Sequence, residues 1–555
     1  MSAALLVVDL EGICLVERLD QIAAGARGYP PAQRWLTEEI NHVVRAMQDA
    51  HGFDVVRVSD SHLSGSGEPT VLTSELVAGA ELFVLEDPYD ARLFDGVQAV
   101  ACLGMHAGAG SEGFIPHTLN LQCALSADGR SLTETDLVIG LAAEGGASVL
   151  FVSGDDVLER QLGGRVCFVR SKVAQSPLRA RALPRQQVWR ALALAAARPL
   201  ESLLPIRARN LDLDFHSRWQ ADLADVAGAR RIGERTVRVE AGSFRQLYEQ
   251  AVRMADLSGD MVDEALRGPP GARSFHEDLE ALLSRRSMVA TTVLPSKERL
   301  ARMFQSFWTQ TEDRSEEHVA LRALVLHMLE RHAPQVFTEL DLGAHLVAAI
   351  DDLADVPAAL EPELLFPAAQ ARVDACFVRS ERNVGGPRLD AAELGVLLRQ
   401  LASCGDDIYV YILGEMAALI GIESQIPLED RPYRDDDRTE DLYWLTHVFL
   451  IASRFLAKPV RPEQLGHHIE ELFLAVPWVI ETEQVDLAAE MAICLQLVGE
   501  HSAAEHHALL GLVDKHTGDD GLVRDPSADD LWLELADHAT GAALLALAGG
   551  RASPH

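Results

Sequence analysis

The sequence predicts an α/β N-terminal domain, a mainly parallel sheet flanked by helices, followed by an all-α domain. Two observations predict it. In the first half, apolar runs of strand length at 4–8 (ALLVV), 53–58 (FDVVRV), 98–103 (QAVACL) and 148–153 (SVLFVS) alternate with helical patterns. In the second half convincing strands are absent, and amphipathic helical stretches such as EEHVALRALVLHMLERH, LYWLTHVFLIASRFL and DLAAEMAICLQLVGE follow one another.

Each element has its own signal. Between the first two strands lies PPAQRWLTEEINHVVRAMQDAHG, with Ile40, Val43, Val44 and Met47 on one face and Gly52 as a stop. That is a βαβ unit, and it implies parallel pairing. At 555 residues the chain exceeds one ordinary core, and LRGPPGARS at 266–274 reads as a linker or loop. The expected division is 1–258 for the α/β domain, 259–314 for a linker with connecting helices, and 315–555 for an acidic all-helical domain. Helix pairs joined by short polar loops fit a helical-hairpin array or an α/α toroid. The closing DDGLVRD and HATGAALLALA resemble a toroid's turn-then-helix pattern.

Charge and cysteines narrow the function. Residues 1–258 carry 33 acids against 25 bases, and 259–555 carry 51 against 24. Such acidity disfavours nucleic acid and anionic membrane as partners. The seven cysteines are scattered and form no CxxC pair, which argues against a disulfide framework or a thiolate zinc site and for a reducing, cytoplasmic setting. Met1 leads straight into a strand without a basic leader, and no apolar stretch has the length of a membrane span.

The strand ends hold the chemistry. The first strand runs into VDLEG and delivers Asp9 and Glu11, with Gly12 behind them as a turn residue. The second runs into SDSH and delivers His62; the third runs into LGMHAGAG and delivers His106. In parallel sheets ligands gather at the carboxyl ends of strands. Carboxylates and imidazoles converging there suit a divalent transition metal, zinc foremost. One histidine after a strand is an ordinary loop residue. Two of them with an acid pair make a metal site as good a reading as a set of loop residues.

These residues carry a family resemblance. VDLEG at 8–12, LTEEIN at 36–41, VSDSH at 58–62, LGMHAGAGSEGFIPHT at 103–118 and TETDLVIGLAAEGGASVLFVSGDD at 133–156 stand in order, with a weaker tail over 210–257. Residues 1–258 thereby resemble the D-aminopeptidase (DppA-type) family of zinc metallopeptidases. The resemblance implies metal ligands at Asp9, Glu11, His62, His106 and Glu134, with Asp9 bridging two zinc ions. It implies a catalytic histidine at His117, acting as base or nucleophile. It also implies a peptide or amino-acid amide substrate, a preference for D-residues, and a homo-oligomer. Glu134 begins a predicted helix, where an acid is an ordinary capping or dipole residue; only the resemblance singles it out. Val8 and Gly108 depart from the family pattern, where a serine and a larger polar residue are usual.

Other motifs are weaker. GAGSEG at 108–113 matches a dinucleotide fingerprint, but FIPHTLN follows where a helix must open. No G-x-S-x-G elbow appears. RDDDRTEDLYWLTH at 434–447 clusters acids as magnesium–diphosphate enzymes do, though a charged helix start explains it. His467–His468 and His506–His507 are adjacent, so each pair diverges on a helix, and a surface position is expected. Two function classes follow. One is a zinc aminopeptidase or amidohydrolase whose helical half binds substrate or drives assembly. The other is a non-catalytic metal-binding scaffold that holds a helical interaction domain.

Overall fold

A computed structural model describes the chain except for residues 1, 63–68, 86, 88, 202–207, 259–294, 313–314, 361–365, 405–406, 424–437, 527–535 and 553–555. The linker expected at 266–274 and the acidic run at 434–437 lie outside the described residues. The chain divides into two compact units, one holding the described residues up to Ser258 and the other those from Pro295.

In the first unit the apolar runs at 4–8, 53–58, 98–103 and 148–153 each form a strand, and further strands stand where no run predicts them. In chain order the strands are β1 (Ala3–Val8), β2 (Val55–Asp60), β3 (Ala80–Phe83) and β4 (Ala99–Met105), then β5 (Cys123–Ala127), β6 (Arg130–Leu132), β7 (Ser148–Asp155), β8 (Phe168–Ser176) and β9 (Arg179–Ala182). One seven-stranded sheet has the order β3-β2-β1-β4-β7-β8-β9, parallel throughout except for the antiparallel edge strand β9. Helix α1 (Tyr29–His51) carries the chain from β1 to β2 and ends at Gly52, whose φ of 67° is the left-handed stop glycine tolerates. Along β1, Ala4, Leu6 and Val8 join one core with Ile40, Val43, Val44 and Met47 of α1. Ala3, Leu5 and Val7 join another on the opposite face. Both faces are dry, which is why the strand reads as an unbroken apolar run.

The opposite core is closed by a second sheet that the sequence reading did not foresee. It is five-stranded and antiparallel, ordered β11-β12-β10-β5-β6, with β10 at Asn210–Phe215, β11 at Arg230–Arg231 and β12 at Thr236–Glu240. Its strands are short and bury alternate residues, Leu211, Leu213 and Phe215 along β10, so no apolar run announces them.

The second unit is helical wherever described, apart from an isolated bridge between Thr517 and Val523. The helix Lys297–Gln310, expected among connecting segments, packs against Ala536–Ala552 within this unit. The helix Val485–Leu497 is its centre. It contacts Arg438–Ala452, Pro462–Glu481, Ala504–His516 and Ala536–Ala552, and its residues from Val485 to Gln496 are all buried. No helix among the described residues is long and apolar enough to cross a membrane.

Candidate metal centre

Strand β1 pairs with β2 on one side and β4 on the other, so the order in which successive strands are laid down reverses between β1 and β4. Crevices at such points receive ligands. The loops leaving β1 and β4 are pressed together there. The Asp9 amide donates to the Leu103 carbonyl at 2.9 Å, and the Gly12 amide to the Gly104 carbonyl at 2.6 Å. A Cβ on Gly12 would stand 2.0 Å from the Met105 carbonyl oxygen. Gly12 is therefore needed for this close approach, and the expected turn role is not what fixes it.

Three carboxylates and three imidazoles meet in this crevice. Asp9 turns its oxygens to different histidines: Oδ2 lies 3.2 Å from His106 Nε2, and Oδ1 lies 3.8 Å from His62 Nδ1. Both Glu11 oxygens stand 3.0 Å from His62 Nδ1. Glu134 Oε2 is 3.5 Å from His106 Nε2, and its Oε1 is 3.7 Å from His117 Nε2. The donor atoms fall into two triads, Asp9–Glu11–His62 and His106–His117–Glu134. All six residues from the sequence are brought together, with His117 in the same triad as two expected ligands.

Backbone carbonyls fix the rings. His62 Nε2 donates to Ile22 O at 2.8 Å, His106 Nδ1 to Ala107 O at 2.9 Å, and His117 Nδ1 to Ile115 O at 3.0 Å. Each ring thus carries its proton away from the carboxylates and points a lone pair at them, the tautomer a metal ligand requires. Two ligands about 2.1 Å from one ion at a tetrahedral angle stand about 3.4 Å apart, whereas a hydrogen bond draws them to about 2.8 Å. Most of these separations match the first spacing. His106 Nε2 is also buried without any hydrogen-bond partner, an orphan that a cation satisfies. The residues fit zinc.

The electrostatics agree. Burial, then Glu11 and Glu134, push the Asp9 carboxyl well above its usual value. Burial also opposes ionisation of Glu134, but His106 outweighs it and brings that carboxyl down to about 2. His106 is raised to about 9 against its burial, chiefly by Glu134. His117 is lowered by burial and by His106 beside it. The crevice demands positive charge, and without a metal only the imidazoles can supply it.

Local sequence explains the placements. Thr133 and Asp136 cap helix α2 (Glu134–Glu144) reciprocally, which frees Glu134 to face the crevice. Its Oε1 accepts the Leu119 amide at 2.8 Å, and its Oε2 accepts the Tyr89 hydroxyl. Ile115 and Leu119, flanking His117, sit at φ of 46° and 67°, left-handed backbone that side-chain-bearing residues rarely adopt. GAGSEG lies in this loop and opens no helix. Gly108 donates to Gln161 Oε1 at 2.9 Å, and a Cβ there would come within 3.2 Å of Leu132 O and Thr133 Cγ2, so a larger side chain has little room.

Two residues escaped the sequence reading. Tyr89 follows no motif and reaches Glu134 from a loop. Lys172 on β8 is fully buried and donates to the Glu11 and Val16 carbonyls, bracing the loop that carries Glu11. A lysine inside a strand core was the available signal. The expected surface position also fails for His506, which is 1% exposed and hydrogen-bonded to Gln496 and the His501 carbonyl.

The α/β domain thus carries at its switch point a buried carboxylate–imidazole cluster that could hold metal. The family model described as D-aminopeptidase (peptidase M55) matches residues 3–252, a little under half of the chain. Among solved structures, the zinc-dependent D-aminopeptidase DppA from Bacillus subtilis, described as a self-compartmentalizing protease, is similar at 22% identity. The match covers 46% of this chain and 98% of that one, with a TM-score of 0.42. No curated protein matches the chain.

Proposed function

We propose that the chain is a zinc-dependent aminopeptidase or amide hydrolase acting on short peptides or amino-acid amides, with D-residues preferred at the free N-terminus. The observation that supports it most is Asp9, whose two oxygens face His106 and His62 from a buried position. In this reading Asp9, Glu11, His62, His106 and Glu134 would hold two zinc ions, with Asp9 the residue able to serve both. Bound metal would supply a polarised carbonyl and a water acidified to a pKa of about 7.

The remaining work falls to side chains. His117 presents Nε2 with its lone pair free, because Nδ1–H is committed to Ile115 O. It is the proton carrier of the site, taking a proton at Nε2 and returning it to the departing amine. Its side chain keeps 20% of its surface, whereas His106 keeps 1%, so substrate reaches it first. Tyr89 orients Glu134, and Lys172 holds the Glu11 loop.

The helical half, in this reading, adds a surface for peptide substrate, with the domain boundary after Ser258 and homo-oligomeric assembly as the family resemblance implies. The test is a panel of paired D- and L-alanyl amides and dipeptides with zinc-loaded full-length protein. At least two zinc per chain, two of them lost when the α/β ligands are replaced, and faster D-cleavage are expected. A clear L-preference would reject the stereochemical part. A protein that neither retains zinc nor hydrolyses any member would leave the scaffold reading in its place.

A further inference from the structure

The helical unit holds a second convergence of metal-ligating side chains. We propose that Asp486, Glu490 and His538, with His447 beside them, form a binding site for a divalent transition cation of the zinc class, separate from the centre of the α/β unit.

The helix Val485–Leu497 is enclosed from end to end, yet it carries Asp486 and Glu490 four residues apart, hence on one face. Asp486 is 9% exposed and Glu490 5%. Carboxylates are buried at this depth when paired or bound to metal. One oxygen of each is held by a hydroxyl from the helix Arg438–Ala452. Tyr443 donates to Asp486 Oδ2 at 2.8 Å, and Thr446 to Glu490 Oε2 at 2.5 Å. The other two oxygens are turned toward His538 on the helix Ala536–Ala552. Asp486 Oδ1 is buried without a hydrogen bond, 3.3 Å from His538 Nδ1, and Glu490 Oε1 is 3.9 Å from His538 Nε2. An imidazole offers an ion only one of its two nitrogens, and one such atom of His538 with one oxygen of each carboxylate lie within 4.8 Å of one another, close enough to share an ion.

The surroundings are arranged for a cation. His447 donates Nδ1–H to Tyr443 O at 2.8 Å, the backbone anchoring seen for the histidines of the α/β unit, and so leaves Nε2 as an acceptor. It lies within electrostatic range of both Asp486 and Glu490. Asp374, buried on the helix Phe366–Arg382, lies within electrostatic range of His538, and the Asp525 carboxylate accepts the Asp486 amide at 2.9 Å. Acids outnumber imidazoles here. His538 keeps 43% of its side-chain surface, which gives an ion a way in. Donors from three packed helices with hydroxyls orienting the carboxylates are the usual construction of a bundle-core metal site.

The test counts Zn2+ in full-length protein stripped with chelator and dialysed against Zn2+. Zinc is the probe because nitrogen–oxygen sites of this kind hold it more tightly than manganese or iron. Glu490→Gln and His538→Gln should each bind one zinc per chain fewer than the parent, with helical circular dichroism and amide hydrolysis unchanged. His538→Gln serves as the second variant because its side chain is partly exposed and its replacement spares the core. Equal zinc in the parent and in His538→Gln would overturn the site. It would leave His538 as an imidazolium bridging two carboxylates.

Discussion

His106 and His117 lie face to face, ring centroids 3.8 Å apart and planes 12° from parallel. Two such rings cannot both hold a charge at low cost, so the one tied to Glu134 and Asp9 governs the state of the other. This asymmetry separates their mutants. His117→Ala should keep its zinc and lose about 10²- to 10⁴-fold in kcat, the range for a missing proton carrier. His106→Ala should lose both zinc and turnover. Metal analysis beside kinetics checks it, and near wild-type turnover in His117→Ala on every substrate would remove that residue from the chemistry.

Asp9→Asn should be the most damaging single change for metal content. Its two oxygens face histidines of both triads, so on the two-zinc proposal weakening it should cost the crevice both ions, whereas His62→Ala should cost it one. Zinc stoichiometry after gel filtration distinguishes the two. Equal losses in both variants would end the bridging assignment.

Tyr89→Phe removes only the hydroxyl that Glu134 accepts. A lost orienting hydrogen bond costs about 10- to 100-fold in metal affinity or activity. Competition with a zinc chelator reads the affinity directly, and the fold should be intact because the ring remains packed. An affinity equal to the parent's would make Tyr89 packing alone.

Glu39 gives a pH prediction away from the metals. It is 1% exposed and accepts the Cys14 amide at 3.1 Å; burial raises its carboxyl to about 7, against Lys172 and Arg185, which lower it. A raised carboxyl keeps its proton more tightly when folded than when unfolded. Its stabilising contribution is full below about 4.5 and fades as pH rises through 7. Glu39→Gln should remove that slope, a difference reaching about 3 kcal/mol from the size of the shift. Urea denaturation at pH 5 and pH 7.5 measures it, and parallel behaviour of parent and variant would refute the prediction.

The four parallel strands and their terminal acids and histidines were legible because buried strands show as apolar runs whose polar ends stand out. Glu134 was not, since an acid in a first helical turn is unremarkable until Thr133 and Asp136 are seen to do the capping. The second sheet was hidden by its short alternating strands. Asp486 and Glu490 were hidden differently. Two acids at helical spacing read as a wet face, and only the helices packed around Val485–Leu497 make that face dry. Periodicity tells which residues share a side; it does not tell what lies opposite.

Lys172 has one more consequence. The chain contains only four lysines, at 172, 297, 458 and 515, so Lys172 supplies the sole side-chain amine in the first 296 residues. It is fully buried behind the Glu11 loop, and burial lowers it to about 8. Amine-reactive reagents therefore have no side-chain target in the folded α/β unit and acquire a reactive one when the wall behind Glu11 opens. Acylation of a single residue, followed by mass spectrometry, becomes a clock for the breathing of the crevice that Glu11 lines.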